Sequence, residues 1–131
     1  MTDAELTNLE VHELASIIES GEVSPEEITE AFLARIDVHN GSLNAYVTVD
    51  EEGARAAAKT AEKEFKAGNY RGALHGIPVA HKDLYATAGL RTTGGSRVLE
   101  NNVPVTDATV VARLKAAVMV TLGKANTLEF A

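Results

Sequence analysis

Apolar positions in the first seventy residues recur at helical spacing. Val11, Leu14, Ala15 and Ile18 follow the i, i+3, i+4, i+7 rule of an amphipathic helix, with Thr7 or Asn8 as its cap and Gly21 as its stop. Ser24-Pro25-Glu26-Glu27 opens a second helix. Ser24 can accept from an orphan backbone N–H, Pro25 suits the first turn and Glu27 can close a capping box. Ile28, Ala31, Phe32 and Ile36 form its stripe, and Asn40-Gly41 ends it. Ala45 to Val49 has the β-branched and aromatic bias of a short strand. Asp50 caps a third helix with Ala54, Ala57, Ala58, Ala61 and Phe65 on one face. Glu51 and Glu52 lie at its start and Lys63 and Lys66 near its end, an order that complements the helix dipole. So small a face lets a neighbour approach closely.

The pattern changes after residue 70. Ile77-Pro78-Val79-Ala80 reads as the start of a buried strand. Residues 83 to 105 are rich in Gly, Thr, Asn and Arg, and a loop of that length in a compact domain is usually functional or disordered. Asp107 caps a helix with Val110, Val111 and Leu114 on one face, and Val118 to Leu122 forms a strand closed by Gly123. Strand, loop, helix and strand predict a βαβ crossover, hence an α/β fold with helices packed on a mixed β-sheet. The chain reads as one unit over 1–131, helical over 1–70 and strand-loop-helix-strand over 71–131.

Composition narrows the function. The 131 residues are 45% hydrophobic but only 5% aromatic, so Ala, Val, Leu and Ile supply the packing. A net charge of −7, without a basic run, disfavours a nucleic-acid partner. No cysteine is present, which excludes disulfides, thiolate nucleophiles and thiolate metal sites. No apolar run reaches the ~18–20 residues of a membrane span. The acidic, polar opening Met1 to Glu5 lacks the character of a secretory signal, so the expectation is a cytoplasmic protein without cofactor.

Lys82 is the candidate catalytic residue. It follows an apolar run at the end of a strand read as buried, where a charged amine is costly and its pKa falls. The alternative is a lysine paired with Asp83 or reaching to the surface. His75, His81 and Asp83 lack a recognised metal-ligand spacing, and His12 and His39 read as surface or cap residues. Arg91 to Arg97 is not a P-loop, because the GxxxxGK[ST] order is missing, although its backbone N–H groups and Arg97 could bind an anion. Ser96 has no sequence-local base and reads as a capped turn.

Together these pieces resemble the amidase signature family. The match runs over about residues 70 to 131, through Leu74-His75-Gly76-Ile77-Pro78-Val79-Ala80-His81-Lys82-Asp83-Leu84, Thr92 to Ser96, Asp107 to Val111 and Leu122-Gly123-Lys124-Ala125-Asn126. The resemblance implies a Ser–cis-Ser–Lys triad with Lys82 as its lysine. Acting through the bridging serine, the lysine helps a nucleophilic serine attack a carboxamide and form an acyl-enzyme, with a Gly-rich loop holding the oxyanion. It also implies that both serines and the oxyanion hole lie beyond Ala131, that Ser96 is neither serine, and that the isolated chain is inactive.

The substrate is thus a small-molecule amide in the parent enzyme, its pocket residues unassigned beyond a contribution from Tyr85 to Ser96. A close variant within the family is the glutaminase component of the glutamyl-tRNA(Gln) amidotransferase, although Lys82 to Thr87 looks closer to general amidases. A non-catalytic module that binds a partner is the other reading. A sheet cut after Leu122 would leave an edge and an apolar face uncovered, so association with a second copy or another chain is expected. Two positions depart from the family pattern. Val118 stands where glycine is common, and His81 where an aliphatic residue is.

Overall fold

The computed structural model describes all residues, 1–131. Helices α1 (Asp3–Leu6), α2 (Val11–Glu19) and α3 (Pro25–Leu43) precede strand β1 (Tyr46–Val49) and helix α4 (Glu51–Lys66). Strand β2 (Pro78–Lys82), a single 3-10 turn (Arg97–Leu99), helix α5 (Thr109–Ala116) and strand β3 (Val120–Ala125) follow. The three strands form one sheet in the order β1-β3-β2, with β1 antiparallel and β2 parallel to β3. The α/β fold with a mixed sheet is therefore as the pattern predicts, including the parallel β2–α5–β3 unit.

Several elements start and stop where their side chains dictate. Ser24 accepts from Glu27 N at 3.2 Å, and the Glu27 carboxylate accepts from Ser24 N at 2.9 Å, closing the expected capping box over Pro25. Asp50 accepts from Gly53 N at 3.2 Å and caps α4. The alanine face of α4 is its buried face, with Ala54, Ala58 and Ala61 each fully buried.

Other boundaries differ from the sequence reading. Thr7 and Asn8 finish α1 by donating to Asp3 O and Ala4 O, and α2 starts instead at Glu10, whose N–H donates to Glu13 at 2.8 Å. Helix α3 runs past Asn40-Gly41. A mid-helix glycine costs only about 1 kcal/mol, and Asn40 faces β1, accepting from Tyr46 N at 2.8 Å and donating to Tyr46 O at 3.1 Å. The true stop is Asn44, left-handed at φ 49. Asp107 is not the cap of α5, since Ala108 holds that position. Strand β3 begins later than Val118 and runs through Gly123.

Three helices end alike. After α2, α4 and α5 the chain takes one left-handed residue, at Gly21 (φ 73), Gly68 (φ 81) and Val118 (φ 63). In each case that residue and the next donate back into the last turn: Gly21 and Glu22 to Ile18 O and Ile17 O, Gly68 and Asn69 to Phe65 O and Glu64 O, Val118 and Met119 to Lys115 O and Leu114 O. This is the Schellman arrangement, in which glycine avoids a Cβ clash. At Val118 the clash is present.

The core has two parts joined by α3. Leu6, Leu14, Ile18, Val23, Ile28, Ala31 and Ile77 fill one. Leu33, Ala54, Ala58, Val120 and Leu122 fill the other, between α3, α4 and β3. Gly123 sits at an irregularity where β3 has one residue more than β2. A Cβ there would lie 2.2 Å from Thr48 O on β1, so only glycine permits the approach. Strand β3 occupies the middle of the sheet, so the expected uncovered edge does not fall on it. The edges are β1 and β2, and β2 is half-exposed rather than buried.

Candidate functional site

Lys82 is the last residue of β2, paired in register with Ala125 of β3. Successive strand residues point to opposite faces. His81 and Asp83 accordingly face inward, 3% and 0% exposed, while Lys82 faces out into solvent. The dry surroundings expected for Lys82 are absent in this chain. Position 82 lies on a face of the sheet that nothing in this chain covers at that point. Asp83 takes other partners, so of the two expected alternatives the Lys82–Asp83 pair is not formed, while the lysine reaching to the surface is.

The buried lysine is Lys124, one strand over. It is 0% exposed, as is Asp83, whose nearer carboxylate oxygen is 3.9 Å away. Its ammonium donates to Tyr85 O at 2.6 Å, Thr92 Oγ1 at 2.7 Å and Thr87 Oγ1 at 3.1 Å. Burial pushes this amine below its ordinary pKa, and the Asp83 carboxylate pulls the other way. The sequence reading passed over Lys124. The available signal was a single lysine inside an apolar strand, Val120 to Ala125, where a charge is rare unless partnered.

Residues 83 to 105 are an ordered loop. Asp83 accepts from the Thr93 N–H and hydroxyl, and Gly94 N donates to Asp83 O at 2.7 Å. Asn102 brackets Thr92, accepting its N–H at 3.0 Å and donating to its carbonyl at 2.8 Å. Asp107 accepts from Ala88 N at 2.7 Å and from Lys115 at 2.8 Å, which ties the loop to α5. The bond from Lys115 holds the Asp107 carboxyl below its usual range.

The backbone N–H groups at the centre of Arg91 to Arg97 are already used, which leaves only Arg97 of the expected anion-binding groups without a side-chain partner. The N–H groups of Thr93, Gly94, Gly95 and Ser96 donate to the Asp83 carboxylate, Asp83 O, Thr93 Oγ1 and Thr93 O. Ser96 donates to Glu129 at 2.6 Å and accepts from Val98 N at 3.3 Å, so it caps a turn as expected.

The histidines are kept apart. His75 is buried, accepting from Arg71 N at Nδ1 and donating from Nε2 to Ala61 O at 2.8 Å, which fixes its neutral tautomer. His81 Nε2 lies 3.1 Å from Thr121 Oγ1, and burial followed by the Lys124 and Lys115 charges depresses its pKa. No three His, Asp or Glu side chains stand together as a metal-ligand group. No helix is long and apolar enough to cross a membrane.

Lys82 therefore stands at the carboxyl ends of the parallel pair β2–β3, where open α/β sheets bind ligands. Beside it, residues 127 to 130 lie along the Gly94-Gly95 turn, leaving Leu128 and Phe130 80% and 58% exposed. A groove of about 530 Å³ lies elsewhere, between α4 and the α5–β3 turn, and Lys82 does not line it.

Comparisons with known proteins agree with this frame. A family profile described as Amidase matches residues 27–131. The A subunit of the glutamyl-tRNA(Gln) amidotransferase from Alkalilimnicola ehrlichii is 50% identical over 121 residues, 92% of this chain and 25% of that protein. Its counterpart from Acinetobacter baumannii is 47% identical over 131 residues, 100% of this chain and 26% of the relative. Among solved structures, native peptide amidase from Stenotrophomonas maltophilia superposes with a TM-score of 0.89 at 34% identity, over 95% of this chain and 26% of that one. The chain spans about a quarter of the length of the curated relatives it matches.

Proposed function

The chain belongs to the amidase family, and from that premise we propose that it forms the opening part of an amide-hydrolysing enzyme in which Lys82 is the catalytic lysine. The observation that carries the reading is the position of Lys82. It ends β2 at the carboxyl side of the parallel pair, with its side chain free of structural duty, while the neighbouring buried lysine is fully occupied. An exposed lysine at that point can serve serines brought by the remaining three quarters of a relative's fold.

In that role the amine acts through a bridging serine. It takes up the proton released as the nucleophilic serine attacks the carboxamide carbon, and returns it to the departing amine or ammonia. The acyl-enzyme then passes its acyl group to water. The amine must be neutral for part of the cycle, which the dry interior of a complete domain favours and bulk water does not. Residues 1–131 alone leave Lys82 in water and commit Ser96 to Glu129, so the isolated chain does not turn over amides.

Two substrate readings share this chemistry. The names of the curated relatives, at 47–50% identity, favour the amidotransferase reading over a general amidase. Under it the amide is that of glutamine, the ammonia released serves transamidation, and the chain works beside other subunits.

A chimera tests the proposal. Residues 1–131 replace the matching quarter of the Acinetobacter baumannii relative, and ammonia release from glutamine is measured. The chimera is expected to be active, and its Lys82→Ala form to lose at least about 10³-fold in kcat with folding unchanged, as for loss of an acid–base partner. Undiminished turnover in the Lys82→Ala chimera excludes the assignment. Measurable turnover by residues 1–131 alone excludes the fragment reading.

A further inference from the structure

We propose that Lys124 is a positioning residue, whose ammonium fastens the loop that follows Lys82 onto the ends of β2 and β3 and thereby fixes where Lys82 leaves the sheet. The proposal rests on the reading of Lys82 as the catalytic lysine.

A charged amine with no exposed surface is expensive, and an apolar side chain of similar length would fill the space between Val120 and Ala125 without that penalty. The buried charge must therefore be matched by its partners, and here the match is complete. An ammonium has three donors, and Tyr85 O, Thr87 Oγ1 and Thr92 Oγ1 take one each. Neither hydroxyl is free to turn away. Thr87 Oγ1 donates to Tyr85 O at 3.0 Å and Thr92 Oγ1 to Leu90 O at 3.1 Å, which leaves their lone pairs for the ammonium. The Asp83 carboxylate provides counter-charge on the remaining side, 3.9 Å away.

These partners are not scattered. All lie between residues 83 and 92, on the segment that leaves β2 directly after Lys82. Thr87 and Leu90 also close a small bridge, so the segment folds back as a unit over the Lys124 ammonium. Asp83 carries the restraint onward. It holds Thr93 by both N–H and hydroxyl, and Thr93 Oγ1 accepts from Gly95 N at 3.1 Å. Asp83 N in turn donates to Ala125 O at 2.9 Å, the residue beside Lys124. Loop and sheet are thus clamped on both sides of one peptide, Lys82–Asp83. A shift of about 1 Å in a reacting group can cost ~10²-fold in rate, so a fixed exit from the sheet matters for an amine that must meet a serine.

The test uses the 131-residue chain and reads no turnover, so it succeeds or fails independently of the Lys82 assignment. Amide hydrogen exchange and NMR resonances are compared in wild type, Lys124→Met and Thr92→Val. The expected result for Lys124→Met is an acceleration at Tyr85, Leu90, Thr93 and Gly94 that exceeds the acceleration in α3 and α4 by about 10-fold or more, with the Lys82 amide and Cε resonances displaced. Thr92→Val removes one acceptor at nearly constant volume and should give the same regional pattern at about 3-fold or more. If Lys124→Met does not fold, Thr92→Val decides alone. Equal acceleration in loop and helices, or unmoved Lys82 resonances, means that Lys124 contributes only general stability and overturns the proposal.

Discussion

Val118 offers a comparison in which the usual order of two residues is reversed. In a helix interior glycine is worse than alanine by about 0.8–1 kcal/mol. At Val118 the backbone is left-handed, φ 63, and the hydrogen bonds from Val118 and Met119 into the last turn of α5 require it to stay so. Any residue with a Cβ incurs roughly 1–2 kcal/mol there. Glycine avoids that cost but gives the unfolded chain about 0.4–1 kcal/mol more conformational freedom to lose. Val118→Gly is therefore expected to be more stable than Val118→Ala by about 0.5–1 kcal/mol. Both variants lack the half-buried valine methyl groups, so that loss cancels between them. The same motif supplies a reciprocal check at Gly21, where an added Cβ meets nothing within 4 Å. Gly21→Ala should thus lose a similar amount through backbone strain alone. Urea denaturation of the four proteins, with thermal melts expected to separate the Val118 pair by ~2–5 °C, reads the difference. An alanine variant at 118 equal to or more stable than the glycine variant would mean that the left-handed turn carries no Cβ strain.

Asp83→Ala removes the only counter-charge of a fully buried ammonium, and should destabilise by about 3–5 kcal/mol, measured by urea denaturation, whereas Lys82→Ala on the exposed side of the same strand should stay within about 0.5 kcal/mol of wild type. Gly123→Ala forces a Cβ to 2.2 Å from Thr48 O; displacement of β1 from β3 should cost at least about 2 kcal/mol and show itself as lost amide protection in Tyr46 to Val49. The depressed pKa of His81 means that the unfolded chain binds more protons than the fold as pH falls below the ordinary histidine value of about 6.5. Its contribution to stability is present above that pH and is lost as pH drops through the folded-state value. Denaturant midpoints between about pH 7 and 5.5 should fall more in wild type than in His81→Gln, and parallel profiles would exclude the effect.

Local chemistry was readable along the chain. Ser24, Pro25 and Glu27 specify a helix start by their spacing alone, and so do Asp50 and the alanine face that follows it. Val118 drew notice only through the resemblance, as a valine where the family commonly has glycine; its own residue pattern reads as the start of a strand, and the left-handed backbone came from the structure. What could not be read depends on contacts between distant segments. Asn40 looks like a helix terminator until its amide is seen to grip Tyr46. The apolar run before Lys82 suggests burial, but burial of a strand residue is decided by what covers its face, which differs between His81 and Lys82 on the same strand. Lys124 is the clearest instance. Its three acceptors stand more than thirty positions earlier, in a loop whose composition gave no sign of a cage. The candidate site was thus legible as a motif, while which of its two lysines faces water was not.

The strand order β1-β3-β2 bears on how the protein is made. The two earlier strands never bond to one another, so neither has a partner while the ribosome is still adding residues before Val120. The cluster built from Leu6 to Ile77 can condense during that interval, since every side chain it needs has already emerged. The sheet cannot, because both flanks take their strand partner from the six residues of β3. Until then β1 and β2 are strands without a partner, and such edges are prone to aggregate.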